Sequence, residues 1–390
     1  MKRIFALCLA LCLLLLCGCA PEETPATVPS AEQTQPSAQT TVPSTAPTEA
    51  TVPTTDATQP TGPMLYQNPL TGEPMAEQVY NRPFAVVLNN SKGAQPQHGV
   101  GAADILYETL IEGETRCLGI YYNLNSQTAA TLGTIRSARY YFVQIAQGYD
   151  AIYVHNGASS DPEIGATEYF KKTGWPHLDA ITSKGANKYY YRDRQDKYEY
   201  EHTLFIKPEG ITKLAQELKY TTKREEVLDV GMQFDDDKVI VGKAATDVKL
   251  WFNLSGNPSA KWHKGTGFTY NPQDKLYYAT QHHPDGKHAT VQWNAYEDGN
   301  TGAQIAFRNV LILRTAISTK SNSELMYVDT TGSGSGYFIC NGQSVEINWS
   351  RKSVNDPFTF TLAANGQPVT FGVGQTYVAI VPNKAQVEIG

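Results

Sequence analysis

The chain has 390 residues, 18% of them charged and 41% hydrophobic, and a formal net charge of −6. With Lys2, Arg3 and the five acids of residues 20–63 set aside, about −3 remains for the rest. So weakly acidic a surface argues against a nucleic-acid or anionic-membrane reader, which needs clustered positive charge, and predicts no nucleic-acid partner.

The N-terminus predicts an exported, anchored protein. Lys2 and Arg3 precede an uncharged apolar run, Ile4–Leu16. As a helix that run reaches about 20 Å, short of the roughly 30 Å hydrocarbon core, so residues 1–18 read as a signal peptide. Leu16-Cys17-Gly18-Cys19 has the spacing of a bacterial lipobox, which predicts lipidation at Cys19. Two acyl chains there would hold the protein to the lipid bilayer, giving a cell-membrane, lipid-anchored location on the extracytoplasmic face. Residues 19–63 are rich in Thr, Pro, Ala, Ser and Gln and have no Lys, Arg or aromatic residue. They cannot bury enough apolar surface to offset ordering entropy and read as a disordered tether. Such a tether spans about 35 Å as a coil and roughly 130 Å when drawn out.

Residues 64–225 predict an α/β domain with a mixed or parallel sheet and flanking helices. Arg82–Asn90 ("RPFAVVLNN") is a buried strand by its compact apolar run. Residues 102–113 ("AADILYETLIEG") place Ile105, Leu106, Leu110 and Ile111 at helical spacing with Gly113 as a stop, so a crossover helix is expected. "TRCLGIYYN" is the next strand. A helix over Ala138–Gln147 follows, with Ser137 as N-cap and Gly148 as stop, and "DAIYVHN" makes a third strand. Asp161 as N-cap, Pro162 and Gly174 bound a further helix.

Residues 226–390 predict a mostly antiparallel β domain, making the whole α+β. Short alternating or aromatic runs such as "DVKLWFN", "GTGFTYN", "KLYYATQ" and "QSVEINWSR" are separated by Gly, Asn, Asp and Pro. Asn341-Gly342 suits a type I′ hairpin turn. His282, His283 and His288 flank Pro284–Lys287, but their spacing fits no standard zinc site, so a solvated turn and no metal are expected. Trp251, Trp262, Trp293 and Trp349 read as core.

In order and spacing, "RPFAVVLNN", "PQHGVGAADILYE", "TRCLGIYY", "LGTIRSARYY" and "YDAIYVHNGAS" resemble the N-terminal domain of the YerB-like bacterial lipoproteins. "GSGYFICNGQSVEINWSRKS" and "FTFTLAANGQPVTFGVGQTYVAIVP" are similar to that family's C-terminal domain. The resemblance runs from about Arg82 to Pro382 and implies a two-domain lipoprotein; it carries no reaction, because the family is one of unknown function. Cys117 and Cys340 stand where it implies an aromatic and a non-cysteine residue. Two buried free thiols and a Cys117–Cys340 disulfide are both open.

The candidate ligand-binding residues are Arg136, Arg139, His155, Asn156, Ser159, Glu108 and Asn89. Arg136 and Arg139 flank a predicted helix N-terminus, where cations oppose the dipole unless an anion or an internal carboxylate such as Asp104, Glu108 or Glu112 compensates. His155–Ser159 and Asn89–Gly93 follow strands, and ligands of α/β sheets gather outside strand C-termini. Glu108 and Arg116 read as a structural pair. No dinucleotide, P-loop or zinc-protease motif occurs, and no cofactor is expected. The sequence therefore predicts an envelope lipoprotein binding a cell-wall fragment, an anionic ligand or a protein partner. The alternatives are a cell-wall hydrolase or transferase using Glu108, His155 and Arg136/Arg139, and a purely structural module.

Overall fold

The computed structural model describes residues 66–194, 198–237, 240–255, 263–284 and 290–390. Residues 1–65, on which the expected signal peptide, the lipidation at Cys19 and the expected tether fall, lie outside them, as do Trp262, His288 and the rest of the predicted turn at 285–289.

Among the described residues the N-terminal half contributes strands β1 (Phe84–Asn89), β2 (Ile105–Leu110) and β3 (Thr115–Tyr121). Helix α1 (Tyr140–Gly148), β4 (Ile152–His155), α2 (Ala166–Thr173), β5 (His177–Asp179) and α3 (Pro208–Glu217) follow. The C-terminal half adds β6 (Asp247–Trp251), β7 (Gly265–Asn271) and β8 (Leu276–His282). Strands β9 (Asn309–Thr315), β10 (Gly332–Cys340), β11 (Gln343–Arg351) and β12 (Thr376–Pro382) complete the main elements.

An 11-stranded sheet runs through both halves, in the order Lys243–Ala244, β11, β10, β9, β12, β2, β3, β1, β4, β5, with Thr359–Leu362 also on β11. The join is the parallel pair β2–β12, from Ile105 opposite Thr376 to Thr109 opposite Ile380. Pairs β1–β4 and β4–β5 are parallel, whereas β3 is antiparallel to both β1 and β2. The sheet is therefore mixed. A second, 6-stranded antiparallel sheet built on β6, β7 and β8 covers one of its faces. Phe268 of this layer packs on Tyr377 of β12, with ring centroids 4.8 Å apart. Helix α1 is held from the C-terminal half by Arg351, which is 1% exposed and donates to the backbone carbonyls of Gln144, Thr330, Val354 and Asp356.

The expected crossover helix at 102–113 is instead strand β2. All six of its residues are buried, because neighbours pair on both sides and layers cover both faces. Such a strand carries apolar residues on both faces and loses the alternation that marks a half-exposed one. Glu108 in its middle supplies the false helical spacing. Helix α1 starts at Tyr140, later than expected; Arg139 is its extended N-cap residue, and no side chain caps it. Asp161 caps a separate turn through the amides of Glu163 and Ile164, and α2 begins after Gly165. Gly174 ends α2 at φ 64° as expected.

The Asn341-Gly342 turn has φ of 52° and 71°, the positive pair a type I′ hairpin needs. Trp251 and Trp349 are buried. Cys117 and Cys340 are both buried and free, which corrects the disulfide alternative. Strands β2, β12 and β9 stand between their strands. Four interstrand spacings come to roughly 19 Å, far beyond the reach of a disulfide at about 7 Å between Cα atoms.

Candidate functional site

Strands β1 and β4 pair only over Phe84–Val86 and Ile152–Val154 and then splay. The arginine segment fills the gap. Arg136 N–H donates to Val87 O (3.2 Å), and Asn156 N–H donates to Arg136 O (3.0 Å). Ala138 N–H reaches Gly157 O (2.9 Å), and Ser159 N–H reaches Ala138 O (3.2 Å). "RSAR" is thus an extended wedge against the His155–Ser159 loop, not the first turn of a helix.

Its guanidinium groups turn to carboxylates. Arg139 makes a fork with Glu112, Nε to Oε1 at 2.8 Å and Nη2 to Oε2 at 2.5 Å. Burial pushes the Glu112 carboxyl up, but Arg139 outweighs it and holds the group below its ordinary value. Arg136 reaches Glu201 Oε2 at 3.4 Å. Arg116, on β3, donates to Ser137 O at 2.8 Å. Burial, reinforced by the charges of Arg139 and Arg136, lowers its pKa to about 10. Asn89 Nδ2 donates to His202 Nδ1 (2.7 Å), leaving the proton on His202 Nε2, 3.4 Å from Glu201 Oε1. Glu199, Glu201 and His202 bring donor atoms within 4.8 Å of one another. The protonated Nε2 offers no lone pair there.

Beside the wedge a cleft of about 610 Å³ opens between α2 and the ends of β4 and β5, lined by Phe170, Trp175, His177, Asp179, Thr182 and Tyr220 among others. His155, 1% exposed, is its floor. His155 Nδ1 lies 2.7 Å from Gly157 O and must carry the proton, since a carbonyl only accepts. His155 Nε2 then accepts from His177 Nδ1 at 2.8 Å. The fixed tautomers leave the Nε2 lone pair of half-buried His177 for the cleft. Phe170 stacks on His177 at 4.0 Å and on His155 at 5.1 Å, which holds both rings in plane.

Asp179 is oriented by Gly157 N–H (2.7 Å), Ile181 N–H (3.1 Å) and the Thr182 hydroxyl (2.7 Å). It sits 3.8 Å from His155 Nδ1. Burial outweighs that charge and lowers the His155 pKa to about 4; burial lowers His177 too. Both rings are therefore neutral at neutral pH. Ser159 Oγ accepts from Ala166 N–H (3.0 Å), a supporting role at the start of α2, and Asn156 is half-buried beside the wedge.

Glu108 is elsewhere. Registers place Glu108 opposite Cys117, Cys117 opposite Leu88, and Val86 opposite Val154, so Glu108 and His155 project from opposite faces. Nor does Glu108 pair with Arg116, its expected partner, which neighbours Thr109 on the His155 face. Glu108 is fully buried between the two sheets. Its Oε1 accepts from Asn90 Nδ2 (2.8 Å) and Thr115 (2.6 Å) and lies 3.3 Å from Lys264 Nζ. Its Oε2 accepts from Tyr377 (2.6 Å) and Thr266 (2.9 Å). A single catalytic constellation of Glu108, His155 and the arginines is excluded by this geometry.

Sequence reasoning missed His177, Asp179 and Phe170 in the cleft, and Lys264 and Gln281 in the seam between the two sheets; Asn90, within the Asn89–Gly93 segment expected beside the His155 loop, turns instead to Glu108 in that seam. "PHLD" does alternate like a strand and follows a helix stop, a signal that could have placed His177 and Asp179 at a strand end. Lys264 has no local signature.

A family model described as "Protein of unknown function (DUF3048) N-terminal domain" matches residues 70–221, and its C-terminal counterpart matches residues 259–378. The chain is 28% identical over 317 residues to "Putative lipoprotein YerB" of Bacillus subtilis (strain 168), covering 81% of this chain and 86% of that protein. It is also similar to the crystal structure of YerB protein from Bacillus subtilis, with TM-score 0.65 and 25% identity over 83% of this chain and 99% of the other. Among the described residues no helix is long and apolar enough to cross a membrane.

Proposed function

The chain belongs to the DUF3048 family, and from that premise we propose a lipoprotein, anchored through Cys19 on the extracytoplasmic face, that binds a cell-wall fragment in the cleft beside His155. The observation that carries this reading is the unused Nε2 lone pair of His177 at the mouth of an aromatic-walled cleft. A ligand that donates one O–H or N–H to that nitrogen while laying an apolar face on aromatic rings meets both features, and a sugar ring has both. Arg136 and Arg139 support the cleft by positioning its loop, since their guanidinium groups are engaged by Glu201 and Glu112. Glu108 lies on the far face, so the reading is binding without turnover.

The test is titration of the purified soluble domain with defined muropeptides, followed by calorimetry and by the imidazole NMR signals of His177. Saturable binding that perturbs the His177 resonance is expected. His177→Phe, which keeps the stack but removes both the acceptor and the Nδ1–H that His155 Nε2 accepts, should weaken it at least about tenfold, the worth of one hydrogen bond of roughly 1.4 kcal/mol. Equal affinity in wild type and variant would overturn the reading.

A further inference from the structure

We propose that Lys264 and Asn90 are the precursors of an intramolecular amide bond, formed between Lys264 Nζ and Asn90 Cγ with Glu108 as the proton carrier, which cross-links the two sheets. The three side chains are 4%, 1% and 0% exposed. Both nitrogens meet one carboxylate oxygen: Glu108 Oε1 is 2.8 Å from Asn90 Nδ2 and 3.3 Å from Lys264 Nζ.

The Asn90 carbonyl is surrounded by donors. Its Oδ1 accepts from Gln97 Nε2 (3.0 Å), Gln281 Nε2 (3.0 Å) and Gln95 Nε2 (3.4 Å). Three amide donors converging on one carbonyl oxygen polarise it and stabilise the negative charge that nucleophilic attack places there. Burial favours the neutral amine of Lys264 over the ammonium, and the neutral amine is the nucleophile.

The step balances without any further reagent. Lys264 Nζ passes a proton to Glu108 and, after rotation of its terminal torsions, the amine attacks Asn90 Cγ. The resulting oxyanion at Oδ1 rests on the three glutamine amides. Glu108 delivers the proton to Nδ2, the Cγ–Nδ2 bond breaks, and ammonia leaves with the remaining amine proton as ammonium. Glu108 is again a carboxylate. The products are one secondary amide and one ammonium ion, so the chain loses the positive charge of Lys264. Asn90 follows β1 and Lys264 precedes β7, so the bond ties the N-terminal half to the covering sheet.

The test is intact-mass spectrometry of the purified full chain under denaturing conditions, with peptide mapping after proteolysis. A mass lower than that of the unreacted chain by one ammonia is expected, together with a branched peptide joining the segments of Asn90 and Lys264. Glu108→Gln, which keeps the side-chain shape, should restore the unreacted mass, as should Lys264→Arg. Unreacted mass in the wild type, an ammonia loss mapped to any other position, or a cross-link that survives in Glu108→Gln would each overturn the proposal. The wild-type measurement decides even where a variant fails to fold.

Discussion

Glu108 and His155 are both buried in the same sheet, Glu108 within the central strand β2 and His155 at the end of β4, on opposite faces, and their surroundings are finished to different degrees. Around Glu108 both carboxylate oxygens are engaged, by Asn90, Thr115 and Lys264 on one side and Tyr377 and Thr266 on the other. Around His155 the chain of hydrogen bonds runs from Gly157 O through both imidazoles and ends at a lone pair facing a cleft. A closed network inside a buried layer serves cohesion and internal chemistry; an open one at a strand-end rim is left for an outside partner. The two faces separate holding the halves together from meeting a ligand.

The largest effect that can break this contrast is expected from Glu108→Ala. With the carboxylate gone, the Lys264–Asn90 amide cannot form, Lys264 is left as a buried amine without its carboxylate partner, and Asn90, Thr115 and Tyr377 lose their acceptor. Loss of one partner of such a pair costs about 3–5 kcal/mol. Urea unfolding of the variant should show a loss of that order, and replacing Lys264 with Met in the same chain should recover part of it. A loss under about 1 kcal/mol would place the seam among ordinary surface pairs.

A smaller effect, readable through pH, is expected at His155. Its folded pKa of about 4 lies below the ordinary 6.5 because burial disfavours the imidazolium. Between those values the unfolded chain binds a proton that the folded chain does not, so stability falls as pH falls through this window. The full shift corresponds to at most roughly 3 kcal/mol, already present above pH 6.5. Wild-type stability measured by urea unfolding from pH 7 to 4.5 should therefore decline more steeply than that of His155→Asn. Parallel declines in the two proteins would show that His155 is not held neutral by the fold.

What could be read from the sequence follows the same division. The strands Phe84–Asn89 and Thr115–Tyr121, the Asn341-Gly342 turn and the Gly174 stop are set by local pattern, and each is found as expected. The strand Ile105–Leu110 reads as a helix by local spacing because its identity depends on neighbours at both edges, one of them Thr376–Pro382 from far along the chain. His155 was visible as a polar residue ending an apolar run before a loop. His177, which presents its lone pair, sits 22 residues away and is brought to it only by the parallel pairing of their strands. Lys264 meets Glu108 across 156 positions, a relation between two layers that no local spacing encodes.

The smallest expected effect concerns the two thiols, and it sharpens the contrast by separating packing from cross-linking. Cys117 lies in the strand facing the seam, and Cys340 ends a strand well across the sheet. Burial raises both thiol pKa values, so neither is a ready thiolate at neutral pH. With three strands between them they have no path to a bond short of unfolding. A reductant should therefore leave the thermal midpoint unchanged, and a thiol reagent should label neither cysteine in the native protein yet both in denaturant without reductant. A midpoint lowered by reductant would mean that cohesion between the halves includes a disulfide, and the seam around Glu108 would then carry less of it than the hydrogen bonds imply.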